Sequence, residues 1–285
     1  MNSLEEDGYV VITGACISEA CSALKEIDQL VTLNPKIFPS DGDFSRLDRV
    51  ANLHLVVKSL IDCIGASSEV LDVQRQFFHE TPTIHTSLYF RHGSRQALHV
   101  DSPYFTTVPY GRYLGCWIAL EDATVENGCL MVIPGGHRFG ILRPEEFIQS
   151  TRAVSSEIRS IDQAIWESWQ FENSKRWGNS KPIPVEVPAG TVIIWHPSLP
   201  HGGWPIHKSS DSQPTRRSVV FHTTPANQAV YHLDTFFNPE INREPLQPIK
   251  YEYHAGWPYR IHSTISLQHM DDISVDEFVT GKVKD

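Results

Sequence analysis

The sequence predicts a mainly β fold with decorating helices (α+β), a double-stranded β-helix of the jelly-roll, cupin-like barrel type. Three observations predict it. Short apolar strands punctuated by Gly, Pro and Asn recur between residues 83 and 223. Helical patterns are confined to the first 80 residues and to 141–180. The chain of 285 residues has the size of one large domain and shows no repeat, low-complexity run or linker. We therefore expect one domain over 1–285, with a mainly helical insertion at 141–180 and an irregular extension from about 226.

The elements follow in order. GYVVIT (8–13) reads as a strand closed by Gly14. Ala20, Leu24, Ile27 and Leu30 repeat at helical spacing, with Ser18 as a plausible cap. Residues 34–50 read as a loop, 51–64 as a second helix and 68–79 as a shorter one. TIHTSLYFR (83–91) is a strand, and HVDSPYF (99–105) a short strand running into a turn at Pro103. YLGCWIALED (113–122), the turn ENG (126–128) and CLMVIP (129–134) continue the meander. Strands resume at 184–187, 191–195 and 216–223, the second aimed by the turn Pro188-Ala189-Gly190. Beyond 226, Pro239, Pro245, Pro248 and Pro258 forbid long elements.

Composition narrows the function classes. Lys and Arg number 24 against 34 Asp and Glu, a formal charge of -10, which argues against a nucleic-acid groove. No window approaches 18 consecutive apolar residues, so no membrane-spanning helix is expected. The start MNSLEEDGYVV lacks the basic-then-apolar pattern of a secretory leader, and the five cysteines show no CxxC pair. A cytoplasmic protein acting on a small molecule, as a monomer or homodimer, is the expectation.

The sharpest local motif is His99-x-Asp101. In a strand, residues i and i+2 share a face. An imidazole nitrogen and a carboxylate oxygen then reach one point, a ligand pair suited to a divalent first-row metal. A third ligand is needed from a returning strand. His201 fits, directly before two glycines that let backbone approach closely; His196 is its main competitor, with His222, His207 and His137 weaker. The set His99, Asp101 and His201 would be a 2-His-1-carboxylate triad, which leaves positions open for a bidentate co-substrate and O2. A 2-oxo acid bound there needs an Arg for its distal carboxylate. Arg216 and Arg217 open the strand 216–223 and face opposite sides; strand periodicity alone does not choose between them.

Taken together, these features resemble the phytanoyl-CoA dioxygenase family of Fe(II)/2-oxoglutarate-dependent oxygenases. The resemblance rests on Asp7-Gly8-Tyr9-Val10-Val11-Ile12, His99-x-Asp101, Trp117 to Asp122, Glu126-Asn127-Gly128-Cys129-Leu130, Pro134-Gly135-Gly136-His137, Gly190 to His196, His201-Gly202 and Arg216-Arg217. It implies Fe(II) on His99, Asp101 and His201, with 2-oxoglutarate and O2 as co-substrates. It points to Arg216 for the co-substrate's distal carboxylate and to Trp117 in the same pocket, with Arg217 and Tyr89 as further co-substrate candidates. Tyr104, Phe105, His137, Trp204 and His207 are candidate substrate contacts, and Trp166, Trp169 and Phe171 of the insertion a candidate lid or subunit contact. Two departures stand out. Gly203 occupies a position where the family often has Ser or Thr, and the segment from His201 to Arg216 is long. The implied reaction is hydroxylation of an unactivated C–H in a small organic molecule, with release of succinate and CO2. The alternatives are a cupin-like metal isomerase or dioxygenase that uses no 2-oxoglutarate, and a non-catalytic binding barrel.

Overall fold

The computed structural model describes residues 3–34, 37, 48–151, 163–206, 214–231, 233–237, 249–267 and 272–280. The chain opens with strand β1 (Tyr9–Ile12) and helix α1 (Ile17–Leu33). Ser18, the expected cap, lies inside the helix: the helix begins at Ile17, and Cys16 flanks it, its N–H donating to Gly190 O. Next come β2 (Arg49–Ala51), α2 (Ser59–Gly65) and α3 (Ser68–Phe78). Strands β3 (Pro82–Phe90), β4 (Leu114–Ala119) and β5 (Leu130–Val132) carry the first half of the meander. Helices α4 (Pro144–Thr151) and α5 (Gln163–Ser174) lie within 141–180, of which residues 152–162 fall outside the described ones.

The second half returns as β6 (Ile183–Val185), β7 (Val192–Trp195), β8 (His201–Gly203) and β9 (Ser218–Pro225). Short α6 (Leu233–Phe237) precedes β10 (Tyr251–His254), β11 (Trp257–Arg260), β12 (Thr264–Leu267), β13 (Ile273–Ser274) and α7 (Val275–Thr280).

Two sheets result. The larger runs β1-β7-β4-β9-β3-β2-β12-β13, with β11 bridging to β3 and β10 paired on β11. The smaller runs β6-β5-β8 and is extended by a single bridge between His99 and His201. Pairing is antiparallel apart from the β11–β3 bridge. Among the described residues these strands make two facing sheets, not the closed barrel expected.

The period of two along each strand sorts the side chains. In β4, Leu114, Cys116 and Ile118 pack against the first three helices, while Trp117 and Ala119 face the small sheet. In β7, Val192 and Ile194 take the helix side, and Ile193 and Trp195 the inner side. Helix α1 presents Ala20, Ala23 and Ile27 to the first of these layers. A third cluster, with Trp169, Phe147 and Phe236, joins the insertion helices to α6.

Three expectations differ from the structure. The region 51–64 is not one helix: Val50 and Ala51 pair with Tyr89 and Leu88 as strand β2. The left-handed backbone of Asn52 (φ 60°) then turns the chain, and α2 begins only at Ser59. A short apolar run does not announce its period, which is why a strand was hidden there. HVDSPYF is a lone bridge at His99 followed by a turn, because Tyr104 N–H already donates back to Asp101 O. The extension from 226, expected to be irregular, contains regular elements among its described residues. Its described strands are four residues or fewer, and β11 and β12 extend the large sheet through β3 and β2.

Candidate metal centre and co-substrate pocket

The site lies between the sheets and is built by three local choices. His99 and His201 face each other across their bridge, with both backbone hydrogen bonds at 2.9 Å and ring centroids 4.5 Å apart. Gly202 permits this closeness, since a Cβ there would lie 2.7 Å from Gln96 O and 2.9 Å from Ala97 O. Asp101 then enters from the turn that follows His99.

Each ligand candidate is pinned on its far side. The Nδ1–H of His99 donates to Ala97 O (2.8 Å), and that of His201 to Leu199 O (3.0 Å). Both Nε2 lone pairs are thereby presented to the cavity, the tautomer that a metal-binding imidazole needs. Asp101 Oδ2 accepts hydrogen bonds from Trp195 Nε1 and His222 Nε2, each at 3.2 Å. Its Oδ1 is left facing His99 Nε2 at 3.8 Å and His201 Nε2 at 3.6 Å. These gaps are too long for hydrogen bonds and suit three donors around one ion. Among the described residues this trio is the one group of His, Cys, Asp and Glu whose donor atoms all lie within 4.8 Å of one another.

The electrostatics favour the ligating form at His99 and Asp101. Burial, then the neighbouring His201, pushes His99 down to about 4. Burial opposes ionisation of Asp101, but His201 and His222 beside it hold its carboxyl well below the usual carboxylate range. Burial works against a charged His201 too, but Asp101 outweighs it and raises the group, so without a metal this imidazole is biased toward its protonated form, and binding a metal there would displace that proton. A neutral imidazole and a carboxylate anion are the forms that ligate.

Trp195 is set in turn by Gly115, its partner across the β4–β7 ladder. A Cβ on Gly115 would sit 2.1 to 2.5 Å from the indole atoms, so only glycine lets the ring lie flat there and reach Asp101. The same indole lies 4.5 Å from the His201 ring.

Arg216 lies deeper in the same cavity, which has a volume of about 760 Å³. Its side chain faces inward with Val220 and His222, while Arg217 faces the opposite side, as the period of two requires. Arg216 is 2 % exposed. Its Nη1 donates to Gly128 O (2.9 Å), and its Nη2 to Ser218 Oγ (3.1 Å) and His92 O (3.3 Å). The guanidinium lies 5.3 Å from the Trp117 ring centroid. All these partners are neutral, and Nε has none among the described residues. Burial lowers the group to about 10, still fully charged at neutral pH. A buried cation with neutral partners is a site prepared for an anion.

This donor set fits the family whose model for phytanoyl-CoA dioxygenase matches residues 4–218. The chain belongs to the phytanoyl-CoA dioxygenase family. A relative from Bos taurus, phytanoyl-CoA dioxygenase domain-containing protein 1, is 24% identical over 305 residues, covering 86% of this chain and 97% of that one. Two solved structures share the fold. The non-heme alpha ketoglutarate dependent carbocyclase SnoK from nogalamycin biosynthesis has a TM-score of 0.54 at 16% identity, covering 86% of this chain and 91% of that one. The epimerase SnoN of the same biosynthesis has a TM-score of 0.53 at 19% identity, covering 90% and 91%. The fold is thus mixed α/β with large antiparallel sheets, resembling double-stranded β-helix enzymes. Family and triad together equip the chain for Fe(II) and 2-oxoglutarate as an oxidoreductase.

The other expected site residues divide sharply. Tyr104, Phe105 and Trp117 line the cavity. Arg217 does not: it donates to Glu121 Oε1 (2.7 Å) and Asp28 Oδ1 (2.8 Å) on the helix side. Tyr89 shares that side and is buried in the helix-facing core, because Leu88 and Phe90 take the inner positions of β3. His137 is spent on bracing the N-terminal segment, its Nε2 on Glu5 O (3.0 Å). Trp204 packs on the inner core next to Cys129, whose carbonyl accepts its N–H. His207 lies outside the described residues. His196 is turned away, its Nδ1 accepting Ser198 N–H. Of the insertion aromatics, Trp166 lines the cavity, Trp169 is core, and Phe171 is 64% exposed. Sequence reasoning missed Trp195 as a holder of Asp101 and ranked His222 as a rival ligand instead of a hydrogen-bond donor. The inward register of β7 and β9 was the signal available for both.

Proposed function

We propose that the chain is an Fe(II)- and 2-oxoglutarate-dependent hydroxylase of a small organic molecule, working as a single catalytic unit over 1–285. The observation that carries this reading is the buried, anion-seeking Arg216 in the same cavity as the three converging donors. His99, Asp101 and His201 would hold the iron, and Arg216 would take the distal carboxylate of 2-oxoglutarate. The bound pair supplies an oxidant strong enough to remove hydrogen from an unactivated C–H. O2 and 2-oxoglutarate are consumed, and one oxygen atom enters succinate and the other the product, with CO2 released.

The chain's own work is positioning. Trp195 and His222 lock Asp101 so that one oxygen is offered inward, and the backbone carbonyls of Ala97 and Leu199 fix both imidazoles. Trp117 covers the Arg216 guanidinium and keeps water from competing for its charge. No side chain in the cavity is needed as a general base. The names of the two similar structures, carbocyclase and epimerase, favour a second outcome from the same site: ring closure or inversion without gain of oxygen.

Succinate formation from 2-oxoglutarate by the Fe(II)-loaded chain under air tests the reading. Slow succinate release is expected even without substrate, falling to background in Asp101→Ala. Its absence from the parent chain would overturn the proposal. Mass spectrometry of a turned-over substrate separates gain of one oxygen from the second outcome.

A further inference from the structure

The three imidazoles around Asp101 are not held alike. His99 and His201 are each fixed through Nδ1 by a backbone carbonyl. His222 gives its Nε2–H to Asp101 Oδ2 (3.2 Å), and its Nδ1 is buried with no hydrogen-bond partner among the described residues. A histidine on one hydrogen bond can turn about its broad χ2 torsion and take its N–H off the acceptor. Trp195, the other donor to Oδ2, has a seat of its own. The strand registers place Trp195 and His222 on either side of Gly115 in β4, and the indole fills the space that this glycine leaves. His222 needs a different holder.

Phe105 has the geometry of that holder. Its ring lies on the His222 ring with centroids 3.8 Å apart and 15° between planes. Such a stack leaves the imidazole its in-plane hydrogen bond and obstructs rotation out of the plane. The Phe105 ring is itself confined: Tyr113 lies 5.6 Å away at 38°, and His85 meets it edge-on at 6.1 Å. Its backbone is fixed as well. Tyr104 N–H donates to Asp101 O (3.0 Å), and Thr106 and Tyr231 exchange two backbone hydrogen bonds of 3.3 and 2.8 Å. Thr106 Oγ1 closes the turn onto Pro103 O (2.7 Å). The contacts form a closed circuit: Asp101 leads along the turn to Phe105, Phe105 stacks on His222, and His222 returns to Asp101. One short turn thus carries both the carboxylate and the ring that steadies its donor.

We propose that Phe105 is a positioning residue of the metal centre: its ring face keeps His222 Nε2–H on Asp101 Oδ2, so that Oδ1 stays turned toward His99 and His201. Phe105 acts through His222 and not on the metal itself. It also lines the cavity, so whatever packs against it bears on the hold over Asp101. The inference rests on the metal-binding part of the reading above, and not on 2-oxoglutarate or on the reaction. A ring that merely filled space would set stability and leave the ligands of the metal undisturbed.

Co(II) is the probe, because it accepts the same imidazole and carboxylate donors and its visible bands report their geometry. Affinity and spectrum are read together for the full chain and its variants. Phe105→Leu is expected to weaken Co(II) binding about three- to tenfold, the scale of one aromatic pair, and to shift the visible bands. Phe105→Tyr, which keeps the flat face, is expected to stay within about twofold of the parent. His222→Ala is expected to lose about tenfold or more. The double variant is expected to lose no more than His222→Ala alone, because no imidazole is left to hold. Thermal unfolding of the metal-free proteins checks the fold, and Phe105→Met repeats the measurement if Phe105→Leu has not folded. Binding by the Phe105→Leu or Phe105→Met protein within about twofold of the parent would overturn the proposal. So would a fall in Phe105→Tyr as large as in Phe105→Leu, or losses that multiply in the double variant. A parent chain that takes up no Co(II) would overturn it together with the metal site. Absence of succinate formation in a chain that behaves as expected here falls on the hydroxylase reading alone.

Discussion

At the scale of single residues, the site depends on which atom of each group is already engaged. Asp101 spends Oδ2 on Trp195 and His222 and keeps Oδ1 for the metal. Trp195→Phe removes one of those donors while keeping the ring over His201. Iron affinity is expected to fall about 10- to 100-fold, the usual cost of losing a group that orients a ligand. Anaerobic Fe(II) titration checks it, and a change below twofold would show that His222 alone holds the carboxylate. The triad itself was legible in the sequence, because His99-x-Asp101 and His201-Gly-Gly are local patterns with chemical meaning. The choice between Arg216 and Arg217 was not legible from periodicity alone. It became so once β9 was seen to carry Val219 and Phe221 into the helix-side core and Val220 into the inner one.

At the scale of elements, the β4–β7 pair explains how a core strand serves the site. The strand YLGCWIALED was recognisable by its apolar run, yet the purpose of its glycine was not. Gly115 and Trp195 are cross-strand partners, and the indole occupies the space of the missing side chain. Gly115→Val is expected to lower stability by about 1–3 kcal/mol through overpacking and to weaken iron binding by displacing Trp195. Urea unfolding with and without metal separates the two effects; unaltered iron binding in a folded variant would dissociate Gly115 from the site. The turn ENG has a similar double meaning. Asn127 Nδ2 donates to Asp122 O and Thr215 O, and the carbonyl of Gly128 receives Arg216. Strand β2 escaped sequence reading because three residues carry no period, and its hydrogen-bond partners lie almost 40 residues away in β3.

At the scale of the whole molecule, the sheets are held by pairings that sequence patterns do not encode. The strands after residue 250 join β2 and β3 at the edge farthest from β1, and one of them delivers Arg260 to the cavity. Long-range closure of this kind has no local signature, so the extension read as irregular. Two histidines with lowered proton affinity, one buried and one half-buried, add a pH dependence to the fold. His54 is fully buried between Phe221 and Tyr259, and burial lowers it to about 3; His196 is lowered to about 4 for the same reason. In the unfolded chain both titrate near the ordinary value of about 6.5. The unfolded state therefore binds more protons below that pH, and the stability these groups contribute is complete above it and lost as pH falls toward 4 and 3. The thermal midpoint of the metal-free protein is expected to drop from pH 7 to pH 4.5, and to drop less in His54→Leu. An identical fall in the two proteins would remove His54 from this account.

On the proposed function, one buried arginine beside three converging donors equips this cavity to hold 2-oxoglutarate. Anaerobic titration of 2-oxoglutarate into the Fe(II)-loaded protein, followed by its visible charge-transfer band, tests it most directly when three proteins are compared. The parent chain and Arg217→Gln are expected to develop the band at similar 2-oxoglutarate concentrations. In Arg216→Gln, half-saturation is expected to rise about 100-fold, the scale of removing one partner from a buried charge pair. A parent chain that gives no band and binds no 2-oxoglutarate, or an Arg216→Gln protein that titrates like the parent, would rule out Arg216 as the anchor of 2-oxoglutarate.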